Sequence, residues 1–286
     1  MIRSRSRPCL VREIAPLRRE LAAWRRAGDT IALVPTMGAL HAGHIALVEE
    51  AKEQARRVIL SIFVNPAQFA PSEDFAAYPR SLETDLSMFE EAGGDLVFAP
   101  SIEEIYRPGF ATSIMIAGPA AAGLEDRFRP AHFAGVALVV AKLLNICRPD
   151  TAIFGEKDYQ QLKVIERMTR DLDFETRIIN APTVREPDGL AMSSRNVYLS
   201  PAERAAAPQL FAALTRCAGE IRAGAAISVA LQAGRTALAA ADFATDYFEA
   251  RHAETLAPIH SLSEGPLRLL AAARLGKTRL IDNVAV

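Results

Sequence analysis

Thr30-Ile-Ala-Leu-Val-Pro-Thr-Met-Gly-Ala-Leu-His-Ala-Gly-His44 is the stretch on which the fold turns. Thr30 to Val34 is a short β-branched and apolar run that reads as a strand, and Ile45 to Arg56 carries the spacing of a helix. Between them lies a glycine-rich turn. The end of a first strand is where an open α/β sheet opens its ligand crevice. Gly38 and Gly43 let the backbone turn tightly and come close to a ligand. A helix opening near Gly43 aims unpaired N–H groups and its positive dipole end at that crevice, which favours phosphate. His41 and His44 are two of only five histidines in the chain. Set three residues apart here, they are suited to donate hydrogen bonds to phosphate oxygens as charge develops on them. A zinc reading fails on pattern, because the metalloprotease helix needs His at i and i+4 with Glu after the first.

The same alternation continues on the C-terminal side. Val58 to Val64 is a strand apolar on both faces, as in a buried parallel sheet. Leu82 to Glu91 reads as a helix closing at Gly93-Gly94, and Asp95 to Phe98 as a strand. Gly135 to Cys147 reads as an apolar helix, Thr151 to Phe154 as a strand, Tyr159 to Leu172 as a helix and Glu175 to Asn180 as a strand. Strands separated by helices predict an α/β fold with a right-handed, doubly wound parallel sheet; the strand order is not legible. After Pro182 the texture changes. Pro201 to Ala223 and Ser228 to Ala241 read as alanine-rich helices, the first opening on Ser200-Pro201 as N-cap and first helical residue. Thr245 to Ala250, Leu267 to Ala272 and Arg279 to Val284 follow as strands. The reading is a domain over residues 1–182 and a smaller α+β domain over residues 183–286. Two domains imply a cleft, where sites preferentially sit.

Composition bounds the function. The 286 residues carry 33 basic and 34 acidic side chains, with a pI near 6.5. That balance argues against a nucleic-acid-coating surface or a polybasic membrane patch. Cys9, Cys147 and Cys217 are too few and too scattered for a disulfide framework or a four-ligand zinc site, which fits a reduced cytoplasmic protein. No apolar run reaches the roughly 18 residues of a membrane span. The start, Met1 to Arg7, is basic but lacks the apolar stretch of a secretory signal; a frayed terminus is the simplest reading, an organelle transit segment the alternative.

Four further segments carry polar chemistry. Phe63-Val-Asn-Pro-Ala-Gln-Phe69 ends a strand in an Asn-Pro turn and leaves Gln68 on a crevice loop, where an amide can read both hydroxyl and carboxylate of a small polar acid. Arg127-Phe-Arg-Pro-Ala-His-Phe-Ala-Gly-Val136 opens an apolar helix. There His132 reads equally well as a structural histidine. Phe154-Gly-Glu-Lys-Asp-Tyr-Gln-Gln-Leu162 repeats the strand-end, glycine, helix-start arrangement, with Lys157 suited to neutralise phosphates. Asp158 is a natural helix cap and a candidate ribose or metal contact. Pro182-Thr-Val-Arg-Glu-Pro-Asp-Gly-Leu-Ala-Met-Ser-Ser-Arg-Asn196, at the domain boundary, has the serines and arginine of a lid that wraps a triphosphate.

The His41-Ala-Gly-His44 run resembles the signature of the nucleotidyltransferase superfamily, and the flanking Pro35-Thr-Met-Gly resembles one family within it, the pantoate–β-alanine ligases, or pantothenate synthetases. The similarity runs from about residue 10 to the end and includes Asp74 to Arg80, Tyr247 to Leu256 and Arg279 to Asn283. It implies a Rossmann-like fold, a homodimer, and ATP-dependent condensation of pantoate with β-alanine through a pantoyl adenylate, releasing pyrophosphate and then AMP. It puts Met37, Gly38, Ala39, Leu40, His41, Ala42, Gly43 and His44 at ATP, together with Gly155, Glu156, Lys157, Asp158, Val184 (near adenine), Met192, Ser193, Ser194 and Arg195. Among these, His41, His44, Lys157, Ser193, Ser194 and Arg195 are expected to stabilise the phosphates. His44 is the family's assigned proton donor, with imidazolium hydrogen bonding as the alternative description. Gln68 and Gln161 are expected to hold pantoate, Gln68 also touching β-alanine, with Arg129 and His132 in the substrate pocket. Asp85 falls where acidic residues are expected near Mg2+, although Thr84 interrupts the paired acids some relatives show. The rival readings are an adenylyltransferase that stops at nucleotide transfer, and an ATP-binding regulatory module without catalysis. A tRNA synthetase would need a basic RNA-binding appendage that the charge balance does not offer.

Overall fold

The computed structural model describes residues 7–71, 73 and 75–286; Met1 to Ser6 of the basic start, and Asp74, lie outside the described residues. In chain order the elements begin β1 (Cys9–Val11), α1 (Ile14–Arg26), β2 (Ile31–Thr36), α2 (Ala42–Gln54), β3 (Arg57–Ile62), α3 (Leu82–Glu91) and β4 (Leu96–Phe98). They continue with α4 (Ile102–Ile105), α5 (Glu125–Phe128), α6 (His132–Cys147), β5 (Thr151–Gly155), α7 (Tyr159–Asp171) and β6 (Arg177–Ala181). The last part holds α8 (Pro201–Ala206), α9 (Gln209–Arg222), α10 (Ile227–Ala240), β7 (Phe243–His252), β8 (Leu267–Leu275) and β9 (Thr278–Ala285). Two compact units emerge. The first runs to Glu156 and adds Val164–Ala181; the second comprises Lys157–Lys163 and Pro182–Val286.

The first unit is built on a six-stranded sheet of order β1-β4-β3-β2-β5-β6, every pair parallel. β2 and β3 pair over their full lengths, Ile31 opposite Arg57 through Thr36 opposite Ile62. Alternate residues Ala32, Val34, Val58, Leu60 and Val97 pack with Val48 and Ala51 of α2 and Phe89 of α3. Their neighbours Ile31, Leu33, Ile59, Leu96 and Phe98 are equally buried. A strand covered on both faces has no polar side to present, which is why its sequence is apolar throughout. From β2 the strand order runs outward in opposite directions, through β3 and β4 and through β5 and β6. The gap between β2 and β5 is thus the switch point, and ligand loops in such sheets leave from the carboxyl ends there. The doubly wound parallel sheet expected from sequence is present, with this order added.

The second unit holds a three-stranded antiparallel sheet, β7-β8-β9, whose apolar residues pack with Leu210, Leu214 and Ile221 of α9 and Leu238 of α10. One helix was expected over Pro201 to Ala223. The structure breaks it into α8 and α9 at Ala207-Pro208, because proline cannot donate the backbone N–H of a helix interior and its ring meets the preceding turn. The sequence reading also passes over α1, although Leu17, Leu21 and Trp24 form a buried stripe at helical spacing. Among the described residues no helix is long and apolar enough to cross a membrane.

The start of α6 fixes a close approach. A Cβ on Gly135 would stand 2.1 Å from the carbonyl oxygen of Ala67, which lies in the 3-10 turn Pro66–Gln68. Backbone cannot yield as a flexible side chain can. Gly135→Ala is therefore expected to lower stability by about 1–3 kcal/mol and to displace that turn, read as a lowered denaturant midpoint.

Candidate active site

The loop after β2 is shaped by a carboxylate remote in sequence. Gly38 and Ala39 both adopt positive φ, 82° and 50°, a conformation that costs a non-glycine residue about 1–2 kcal/mol. Asp85, in the first turns of α3, meets that cost. Its Oδ2 accepts the N–H of Ala39 at 3.0 Å, and its Oδ1 accepts the N–H of Leu40 at 2.8 Å and the Ser81 hydroxyl at 3.2 Å. A Cβ on Gly38 would stand 2.9 Å from Asp85 Oδ2. The Asp85 residue is 1% exposed. Both oxygens are thus enclosed and committed to the loop. Among the described residues there is also no group of three His, Cys, Asp or Glu able to hold a metal. A lone, backbone-bonded carboxylate is no cage for Mg2+, which needs several oxygen ligands and keeps several waters. The described residues form no all-protein magnesium cage; Mg2+ in such sites is held by one or two carboxylates plus substrate phosphates, and what Asp85 does in this structure is hold the loop.

At the end of this loop, α2 opens with a capping box made of two histidines. His41 is the N-cap, and its Nδ1 accepts the N–H of Gly43 at 3.1 Å, while Nδ1 of His44 accepts the N–H of His41 at 3.3 Å. The ring centroids are 4.1 Å apart. A ring nitrogen that accepts a backbone N–H carries no proton, so both rings are neutral and bear their hydrogen on Nε2. Protonating either Nδ1 would break the cap. With the cap formed, each ring presents its Nε2–H as a hydrogen-bond donor. The helix therefore starts at Ala42, three residues before the expected Ile45, because the histidines themselves supply the cap.

Gln68 is oriented by an equally determinate chain of bonds. The N–H of Ala67 donates to Oδ1 of Asn65 at 3.2 Å, which identifies that atom as oxygen. Tyr106 adds a second donor to it at 2.8 Å, and burial pushes the Tyr106 phenol up to about 12, so it stays protonated. The Asn65 amide nitrogen must then be the donor, to the carbonyl of Gly135 at 3.1 Å and to Gln68 Oε1 at 3.0 Å. With its oxygen engaged, Gln68 is left with its amide hydrogens as its donors, one of them toward Met37 Sδ at 3.3 Å. Asn65, 1% exposed, is the centre of this network, and the sequence reading gave it only the role of ending a strand.

His132 and Arg129 support the same turn. Arg129 donates to Glu73 from Nε at 2.5 Å and from Nη2 at 2.9 Å. Its Nη1 lies 3.2 Å from His132 Nε2. Arginine only donates, so Nε2 accepts and Nδ1–H donates to the Gln68 carbonyl at 3.0 Å. Burial, reinforced by the Arg129 charge, pulls the His132 pKa down to about 4. Burial raises the Glu73 pKa, but the Arg129 fork outweighs it and leaves it below the usual carboxylate range. Residues expected in the substrate pocket are here a clamp behind Gln68.

In the second unit, Lys157 and Asp158 stand in a 3-10 turn, Glu156–Asp158, that leads into α7. The Lys157 carbonyl accepts from Asn283 Nδ2 of β9 at 3.0 Å, and Arg268 donates to Asn283 Oδ1 at 2.7 Å. Gln161, half-buried, follows on α7, whose Tyr159 donates its hydroxyl to the Ala253 carbonyl at 3.1 Å. Val184 accepts the Met192 N–H at 3.0 Å, closing a hairpin whose turn is tied by Gly189 N–H to the Glu186 carbonyl at 2.9 Å. Arg185 anchors this hairpin to the sheet through a fork to Asp282, at 2.6 and 2.9 Å, and stacks on Phe211 at 3.6 Å. Ser193 caps the 3-10 turn Ser194–Tyr198 by accepting the Arg195 N–H at 3.2 Å. The segment expected as a lid thus has a defined hydrogen-bonded form. Arg185, Asp282 and Asn283 support it and were not picked out by spacing. Burial raises the thiols of Cys147, to about 12, and Cys217, to about 11, so neither is a nucleophile at neutral pH.

Comparison with known proteins places these features. The family profile described as Pantoate-beta-alanine ligase matches residues 9–285. A protein named Pantothenate synthetase 2 from Bradyrhizobium diazoefficiens is 58% identical over 279 residues, 98% of this chain and 99% of that one. The crystal structure of pantothenate synthetase from Thermus thermophilus superposes with a TM-score of 0.91 at 48% identity, covering 96% of this chain and 98% of that one. A pantoate-β-alanine ligase from Francisella tularensis, solved with β-γ ATP and β-alanine, superposes with a TM-score of 0.79 at 33% identity over 97% of both chains.

The His132 shift sets a pH dependence. Its folded pKa lies below its unfolded value, so the unfolded chain binds the proton more tightly. The stability from keeping His132 neutral is complete above pH 6.5 and is lost as pH falls toward 4. Between pH 7 and pH 5 the intact protein is expected to lose about 2 kcal/mol more than His132→Gln does, measured by chemical denaturation at both pH values.

Proposed function

This chain belongs to the pantoate-β-alanine ligase family and is a ligase that forms pantothenate from pantoate and β-alanine at the expense of ATP; from that premise we propose which of its residues do the work, and how. The observation that carries the assignment is the double-histidine cap, which fixes two neutral Nε2–H donors at the start of α2.

In the first half-reaction a carboxylate oxygen of pantoate attacks the α-phosphorus of ATP. The bond from that phosphorus to the α,β-bridging oxygen breaks, and pyrophosphate leaves. His41 and His44 donate through Nε2–H to the phosphate oxygens on which charge grows, as preorganised neutral donors that need no proton transfer. Lys157, Ser193, Ser194 and Arg195 neutralise and bind phosphate oxygens, a role supported by their chemistry and by their match to the family pattern. Met37 to His44, Gly155 to Asp158, Val184 and Met192 contact the nucleotide, Val184 near the base. Magnesium enters with the phosphates as part of the Mg-ATP substrate. Gln68, whose oxygen is held by Asn65, offers its N–H groups to pantoate oxygens, with Gln161 as second amide. The arrangement around Arg129 and His132 supports a positioning role for both, through the backbone of Gln68. In the second half-reaction the neutral amine of β-alanine attacks the acyl carbon of the adenylate. The bond to the AMP oxygen breaks, the nitrogen sheds a proton and the amide forms. No step requires a protein nucleophile. We also infer a homodimer in the cytoplasm, supported by the family resemblance and by three free cysteines.

An assay with ATP and pantoate is expected to release pyrophosphate, with AMP release requiring β-alanine. An adenylyltransferase that stops at nucleotide transfer would show no amine dependence. His44→Ala is expected to slow single-turnover adenylate formation by about two orders of magnitude, on the scale of one lost transition-state donor; near-normal adenylation would remove it from the mechanism. Gln161→Ala is expected to raise the pantoate requirement far more than that for ATP, and equal effects on both would refute its assignment.

A further inference from the structure

Within the first unit a cavity of about 390 Å³ opens between α1, α4 and the later turns of α6. It lies apart from the loops described above. Three cations line it, Arg18 from α1, Arg107 two residues beyond α4, and Lys142 from α6. The one carboxylate among the lining residues, Glu104, accepts the Ile14 N–H at 2.8 Å and so is tied to the start of α1. No ion pair joins Arg18, Arg107 or Lys142 to a carboxylate among the described residues. Lys142 instead holds its ammonium 4.5 Å from the Phe110 ring centroid and 5.8 Å from that of Tyr106. Partial burial and the nearby Arg107 charge keep it below the usual lysine range.

Like charges gathered in one concavity repel one another, and the low-dielectric wall focuses their field outward. Glu104 offsets only part of that positive charge, and among the described residues no carboxylate pairs with the three cations, so an anion would relieve the rest. The volume falls within the span of small-molecule sites, about 300–1,000 Å³. Two guanidinium groups match the oxygens of a tetrahedral phosphate, and the ammonium adds a point charge. Inward from the cavity the contacts are continuous. Lys142 faces Tyr106, Tyr106 donates to Asn65, and Asn65 holds the oxygen of Gln68. An anion that draws Lys142 off the aromatic face changes the packing over the Tyr106 ring, whose hydroxyl completes the Asn65 network.

We propose that this cavity is a second, noncatalytic anion site for a phosphate-class dianion, and that its occupancy weakens pantoate binding at Gln68 through Lys142, Tyr106 and Asn65. The binding part stands independently; the effect on pantoate rests on the assignment of pantoate to Gln68. The probe is inorganic phosphate, titrated calorimetrically into the full-length protein with the nucleotide site saturated by a non-hydrolysable ATP analogue. Arg18 and Arg107 are exposed, so Arg18→Ser/Arg107→Ser is expected to keep the fold. The double variant is expected to bind phosphate about tenfold more weakly than the parent. At saturating ATP, phosphate is expected to raise the pantoate KM about fivefold in the parent, at the low end of allosteric couplings, and not in the double variant. Equal phosphate affinity in both proteins, or no binding in the parent, overturns the site. Binding that is lost in the double variant but leaves the pantoate KM unmoved overturns the coupling. If Gln68→Ala leaves the pantoate KM unchanged, the pantoate assignment fails, and the phosphate titration still decides the site.

Discussion

One carboxylate holds the reactive loop in shape. Asp85 accepts the consecutive N–H groups of Ala39 and Leu40 and so stabilises a backbone bend that alanine does not favour. A hydrogen bond to an ionised group contributes about 1.5–3 kcal/mol, enough to offset the cost of one left-handed residue. What depends on the bend is the aim of α2. The helix starts where the loop delivers His41, and its first donors are satisfied by the imidazoles themselves.

A second constraint runs through the site: backbone groups decide which atoms of the side chains are donors. The Gly43 and His41 N–H groups fix the histidine tautomers, and the Ala67 N–H fixes the Asn65 amide and, through it, Gln68. Arginine, which can only donate, fixes His132. Each assignment follows from the chemistry of a partner that has no alternative. The result is a set of preoriented donors, which suits a reaction whose barrier falls chiefly through positioning and charge stabilisation.

Much of this was legible in the chain. The strands β2, β3 and β5, the helix α3 and the antiparallel C-terminal strands lie within a few residues of their expected positions, because burial on both faces or one face leaves a direct mark on the apolar pattern. The histidine pair and Lys157 stood out because polar residues near glycine at strand ends have few structural reasons to be there, and Gln68 stood out through its match to the family pattern. Other residues left no such mark. Asn65, Asn283 and Asp282 are ordinary turn or strand residues in sequence, and their importance lies in partners up to 126 positions away. Pro208 could have split the long alanine-rich helix in advance, as could the Leu17, Leu21, Trp24 stripe have revealed α1.

The sequence by itself determined the alternation of strands and helices, the family resemblance, and which residue types are expected at phosphate and at a small acid. These are local properties, carried by side-chain spacing and by glycine. The tertiary structure alone decided the strand order, the switch point between β2 and β5, and which ring nitrogens of the two histidines accept backbone N–H groups. It also showed that Asp85 anchors the loop, and that Arg129 and His132 form a clamp behind Gln68. The reason is physical. A side chain's chemistry is written in its type, but whether its lone pairs and protons are still available depends on which distant backbone groups the fold brings against it.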